Sequence, residues 1–108
     1  MADDTTDPTP EVVHVPDQRR FELLLGAERV GLAEYVRRGG RYVFVHTEVD
    51  PRLEGRGLGT VLIRTALDTA RAEQAEVVPL CPFVAAFIER HPDYRDLVDE
   101  EALRFLDR

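Results

Sequence analysis

Residues 54–60, Glu54-Gly55-Arg56-Gly57-Leu58-Gly59-Thr60, constrain this chain more than any other stretch. Three glycines alternate there with larger residues, between a run of strand character (41–49) and a run of helix character (58–74). Glycine removes the side chain where a backbone must turn sharply or let something approach closely. At a helix start, free backbone N–H groups and the positive end of the dipole point into the vacated space. That arrangement suits phosphate-like oxygens, with the Arg56 guanidinium beside them. A tight turn that binds nothing has the same local composition, so the flanks must decide. A Walker-type loop requires Lys-Ser/Thr after its last glycine, and this chain contains no lysine. The dinucleotide fingerprint requires two residues between its second and third glycines, whereas only Leu58 separates Gly57 from Gly59.

The 108 residues suffice for one domain with one core. Hydrophobic residues at 44% and charged residues at 32% describe a globular chain without a membrane partner. No apolar run reaches bilayer length, and residues 1–10 are acidic rather than leader-like. One cysteine excludes an internal disulfide and fits a reducing, cytoplasmic setting. A formal charge of -7, with arginine as the only strong cation, argues against nucleic acid as a partner and suits a cationic one.

Residues 1–11 are Asp, Thr and Pro with little to bury, and read as a disordered acidic tail before a domain spanning 12–108. Two short strands are expected over 11–15 and 19–25, broken at Pro16-Asp17, and extended chain over 30–37. Arg38-Gly39-Gly40-Arg41 carries the glycines of a hairpin turn. Over 42–49 the first half is apolar on both faces, which predicts a strand covered on both sides. Strict alternation puts Tyr42, Phe44, His46 and Glu48 on one face. Leu62, Ile63, Ala66, Leu67 and Ala70 recur at helical spacing, and 76–80 reads as a short buried strand. Strand, crossover helix and strand imply a parallel pair with a right-handed connection. The class is therefore α/β (α+β), with antiparallel hairpins feeding one parallel unit. Pro82 opens a helix that stops before Pro92, Asp93-Tyr94-Arg95 is a loop, and Asp99 can cap a last helix over 100–106.

The combination resembles the acetyl-CoA-binding core of the GNAT acetyltransferase superfamily. More narrowly, it looks like the small stand-alone (YjdJ-type) N-acetyltransferase-like domains. The residues carrying the match are His46-Thr47-Glu48-Val49, 54–60, Pro79-Leu80-Cys81-Pro82-Phe83 and His91-Pro92-Asp93-Tyr94. It covers about 12–98. The resemblance implies a minimal GNAT-like fold that uses acetyl-CoA as co-substrate, with no metal. The glycine turn would hold the CoA pyrophosphate, and the pantetheine arm would lie where the two parallel strands splay. The cofactor-binding residues implied are Thr47, Val49, Glu54, Gly55, Arg56, Gly57, Leu58, Gly59, Thr60, Pro82 and Phe83. The acceptor implied is a small amine or a peptide or protein amine, for a monomer or homodimer. Two departures stand out. Glu54 occupies the turn position usually held by Gln or Arg, and Ile88 the helix position usually held by a proton-donating tyrosine.

Three residues are candidates for the chemistry. Cys81, before Pro82 at a helix start, is placed for an activated thiol or for a small hydrophobe lining the pocket. His46 can serve as a base for an amine acceptor or for that thiol, if the strands pair as expected. Glu48 can act through water, or simply be an exposed strand carboxylate. Tyr94 can donate a proton near the cleft, or be a structural part of the loop that stops the helix. His14 and His91 form no metal-ligand spacing with Cys81. A CoA-binding sensor or interaction module with little turnover is the alternative to an enzyme.

Overall fold

The computed structural model describes residues 9–102. Its elements follow in order β1 (Pro10–Val15), β2 (Arg20–Leu25), β3 (Glu28–Arg38), β4 (Arg41–Val49), α1 (Leu58–Ala72), β5 (Val77–Pro79) and α2 (Pro82–Arg90). The first eight residues of the expected tail lie outside the described residues, and Pro10 and Glu11 belong to β1. The chain is helical over 100–102, with the Asp99 carboxylate accepting from the Glu101 amide at 3.2 Å. The rest of the expected last helix lies outside the described residues.

Sequence neighbours are sheet neighbours, in the order β1-β2-β3-β4-β5. Three antiparallel pairings precede one parallel pairing, β4 with β5. Short polar connections make the hairpins. Pro16–Gln18 forms a single 3-10 turn, and Gly39 and Gly40 both adopt positive φ (56° and 81°), as a two-residue hairpin of the primed type requires. The parallel pair needs a crossover, and α1 supplies it.

α1 buries Leu58, Leu62, Ile63, Ala66, Leu67 and Ala70, the stripe its sequence spacing predicts. They meet Phe21, Leu23, Ala33, Tyr35, Tyr42 and Phe44 in one core. Each fully buried Leu or Ile contributes about 1.5–3 kcal/mol relative to an exposed one. α2 packs beside α1 and carries Val84, Phe87 and Ile88 into the same core. An Asp68–Tyr94 hydrogen bond (2.7 Å) and an Arg71–Asp96 ion pair tie α1 to the Pro92–Leu97 turn. Tyr94 is thus structural, and burial pushes its hydroxyl pKa up.

β4 departs from expectation in two ways. It is covered on one face only, since Tyr42 and Phe44 are buried while Val45 is 43% exposed. Its alternation also breaks. Tyr35 pairs with Phe44 and Glu34 with His46, so Val45 is an extra residue, a β-bulge. Opposed residues share a face. Buried Ala33 pairs with Thr47, which places Thr47 on the covered side. Tyr42 and Phe44 therefore do not share a face with His46 and Glu48. Sequence alternation assumes an unbroken pleat, and one inserted residue inverts everything beyond it.

Candidate functional site

α1 begins where it does because of two glycines. Gly55 and Gly57 adopt φ of 84° and 75°, a region open to glycine and strained for other residues. A Cβ at either would meet nothing within 4 Å, so the requirement is conformational. Gly57 occupies the N-cap, and no side chain caps the first turn. The leading amides of α1 remain presented outward, with the dipole's positive end behind them. Gly59 does something different. A Cβ there would stand 2.6 Å from Cζ of Phe83, so the missing side chain admits a ring from α2. The alternating glycines share a spacing but not a purpose.

Two connected grooves border this turn. One, of about 170 Å³, runs along Gly55, Gly57 and Thr60 at the start of α1. The other, of about 480 Å³, runs along Thr47, Glu48 and Asp50 at the end of β4. Val49, Glu54 and Phe83 line both. Phe83 is 41% exposed, an apolar wall between them. Arg56 and Thr60 are exposed beside the turn, while Leu58 is buried beneath it. Asp50 and Pro51 were not foreseen as lining residues. Their position directly after the strand was the available signal. Hydrogen bonds from Arg52 hold the Asp50 carboxyl below its usual pKa.

The grooves lead to the point where β4 and β5 part. Strand pairing ends at Phe44 and Pro79, and the Cys81 amide donates to the Phe44 carbonyl at 2.9 Å. Beyond that bond no β4 residue pairs with β5. Cys81 is the N-cap of α2, Pro82 its first residue, and the thiol is buried. Its Sγ donates to Thr47 Oγ1 at 3.4 Å. The bulge at Val45 creates this contact by turning Thr47 toward the covered side.

The same bulge separates His46 from Cys81. His46 Nε2 and Glu48 Oε2 share a hydrogen bond of 2.7 Å on the opposite, exposed face. The structure brings His46 to Glu48, and Cys81 to Thr47, but not His46 to Cys81. Glu48 also borders the larger groove, so the pair reaches it from the open side. Ile88 is fully buried and has no ionisable group to donate a proton. Among the described residues no His, Cys, Asp and Glu cluster is arranged to hold a metal ion, and no helix is long and apolar enough to cross a membrane.

Comparison with known proteins agrees with this fold. The GCN5-related N-acetyl-transferase family profile matches residues 20–97. The chain belongs to the GCN5-related N-acetyltransferase family, as one of its small domains, and that family uses acetyl-CoA as co-substrate. A GCN5-like candidate N-acetyltransferase from Staphylococcus aureus, solved by NMR, has the same fold: TM-score 0.66 at 20% identity, over 82% of this chain and 87% of that one. A GCN5-related N-acetyltransferase from Kribbella flavida aligns at TM-score 0.51 and 26% identity, over 70% of this chain but 22% of its own. No curated protein matches the chain.

Proposed function

We propose that the protein binds acetyl-CoA along the two grooves and transfers the acetyl group to an amine. One observation carries this reading. The glycine-capped first turn of α1 opens into grooves that run to Thr47, whose hydroxyl accepts from the buried Cys81 thiol where β4 and β5 part. The pyrophosphate would take the leading amides of α1, with Arg56 beside it, and the pantetheine arm would follow Val49, Thr47 and the Phe83 ring. Gly55, Gly57, Leu58, Gly59 and Thr60 shape the first part of that path, Glu54 and Pro82 its borders.

Acetyl-CoA supplies a thioester. The amine nitrogen bonds to the acetyl carbon, the carbon–sulfur bond breaks, and the sulfur leaves with its electron pair. Two proton movements complete the balance. The amine releases a proton, and the Glu48–His46 pair is the acceptor on the open side. The departing sulfur takes a proton, and Ile88 offers none. The Cys81 thiol stands at the strand parting in place of the absent tyrosine, with Thr47 to steady it.

The test combines binding with turnover. CoA binding by calorimetry should weaken at least about tenfold, about 1.4 kcal/mol, in Gly57→Val. Arg56→Ala, which leaves the turn intact, should weaken CoA more than pantetheine. CoA release from acetyl-CoA with a panel of amines should depend on Cys81. Mass spectrometry after acetyl-CoA treatment separates the two roles of the thiol, because an acetyl adduct lost in Cys81→Ala would make it a nucleophile. Tight CoA binding with no release for any amine would favour a sensor. Equal CoA affinity in a folded Gly57→Val would overturn the site.

A further inference from the structure

α1 and α2 lie on one face of the sheet, and on the other the helical residues Glu101 and Ala102 border the β4–β5 end, while among the described residues no helix lies over β3. Opposed residues Val36 and Val43, with Val78 beside Val43, form an apolar stripe across β3, β4 and β5. At the end where β4 leaves β5, Val45 is 43% and Leu80 66% exposed. Exposed apolar surface beside a groove marks a contact surface. Three strands at about 4.8 Å spacing give the stripe a width of about 10 Å. A small amine needs far less.

The charges on this face are arranged around the stripe. Glu34 lies opposite His46 in register, and no ion pair among the described residues neutralises it. Arg20, its neighbour on β2, is bonded to Glu22. Glu48 stands two residues beyond His46. A groove of about 390 Å³ continues the stripe over Val43, Val78 and Leu80, bordered by Asp99, Glu101 and the buried Ala102. Arg41 on that border is matched by Asp99 and Glu76, which leaves Arg38 as the cation at the hairpin end.

We infer that this face docks a cationic polypeptide segment whose amine is the acetyl acceptor. Its apolar side chains lie on the Val43–Leu80 stripe, and its cations face Glu34 and Glu48. The inference rests on the transfer reading above and names its acceptor class. A chain of net charge -7 attracts such a segment at long range, and the stripe holds it at short range.

The experiment compares acetyl transfer to a short Lys/Leu/Ala peptide, the same peptide with Glu replacing Lys at all but one position, and butylamine. Wild type, Glu34→Lys and Val43→Ser are measured at low and high salt. The cationic peptide should exceed the other two in kcat/KM by about tenfold at low salt. It should lose about that factor in either variant and at high salt, with butylamine changed less than about twofold. Butylamine equal to the cationic peptide would overturn the inference, as would losses shared by both. Absence of CoA binding would instead overturn the transfer reading. Fluorescence anisotropy of the labelled cationic peptide, without acetyl-CoA, then decides the docking face alone. Binding lost in Glu34→Lys supports it, and no binding, or binding untouched by that change, overturns it.

Discussion

The two halves of β4 have opposite relations to their surroundings. From Tyr42 to Phe44 the strand is paired on both sides, with β3 and β5, and its aromatic side chains are buried. From His46 to Val49 it is paired with β3 alone, and every side chain is polar or borders a groove. The first half is closed by its own chemistry. Tyr42 packs edge-on against Tyr35 at 4.8 Å, Arg37 sits over the Tyr42 ring at 4.0 Å, and the Tyr42 hydroxyl donates to Glu73 at 2.8 Å. His14 stacks on Phe21 at 4.1 Å and shares a 2.6 Å hydrogen bond with Tyr35. Polar atoms at that end are satisfied within the fold. At the other end the sheet stops pairing before its strand stops. A site for a ligand requires such an incomplete element held rigid by a complete one.

The sharpest way to break this contrast is to remove the bulge by inserting one residue between Glu34 and Tyr35, opposite Val45. Without the bulge, His46 and Glu48 turn to the covered side, and Thr47 and Val49 turn away from it. Burying an uncompensated carboxylate should cost at least about 3 kcal/mol in urea unfolding, and CoA binding should disappear. Phe44→Ala tests the closed half without changing register. Its ring is 1% exposed, so the loss should be about 3–5 kcal/mol. Any protein that remains folded should keep the His46–Glu48 pair. The smallest effect is a pH dependence of the closed end. Burial among Phe21, Tyr35 and Tyr42 lowers the His14 pKa below 6.5, partly opposed by the Glu73 charge, with Arg37 also lowering it. The unfolded chain then takes up a proton that the native one resists. The His14 contribution is fully present above pH 6.5 and shrinks as pH falls below it. That slope should be reduced in His14→Gln, and a slope unchanged by this substitution would contradict the account.

Much of this was legible in the chain. The hairpin at Gly39-Gly40, the apolar stripe of α1, the Pro82 helix start and the parallel pairing with β5 are local patterns, and each formed where its residues predict. Gly55 and Gly57 were legible for the same reason, because positive φ is a property of the residue itself. That Gly59 also admits the Phe83 ring was not legible, since Phe83 is 24 positions away in sequence and its approach is visible only in three dimensions.

Sequence alone determined the order of elements, the glycine-capped helix and the family to which the chain belongs, because propensity, periodicity and turn chemistry act over a few residues. Tertiary structure alone decided which residues face each other at the site. Nothing local to Val45 announces a bulge, as it arises from the register that β3 and β4 adopt together. That single register shift sends Thr47 to Cys81 and sends His46 with Glu48 to the open face, where strict alternation would have put them with Phe44.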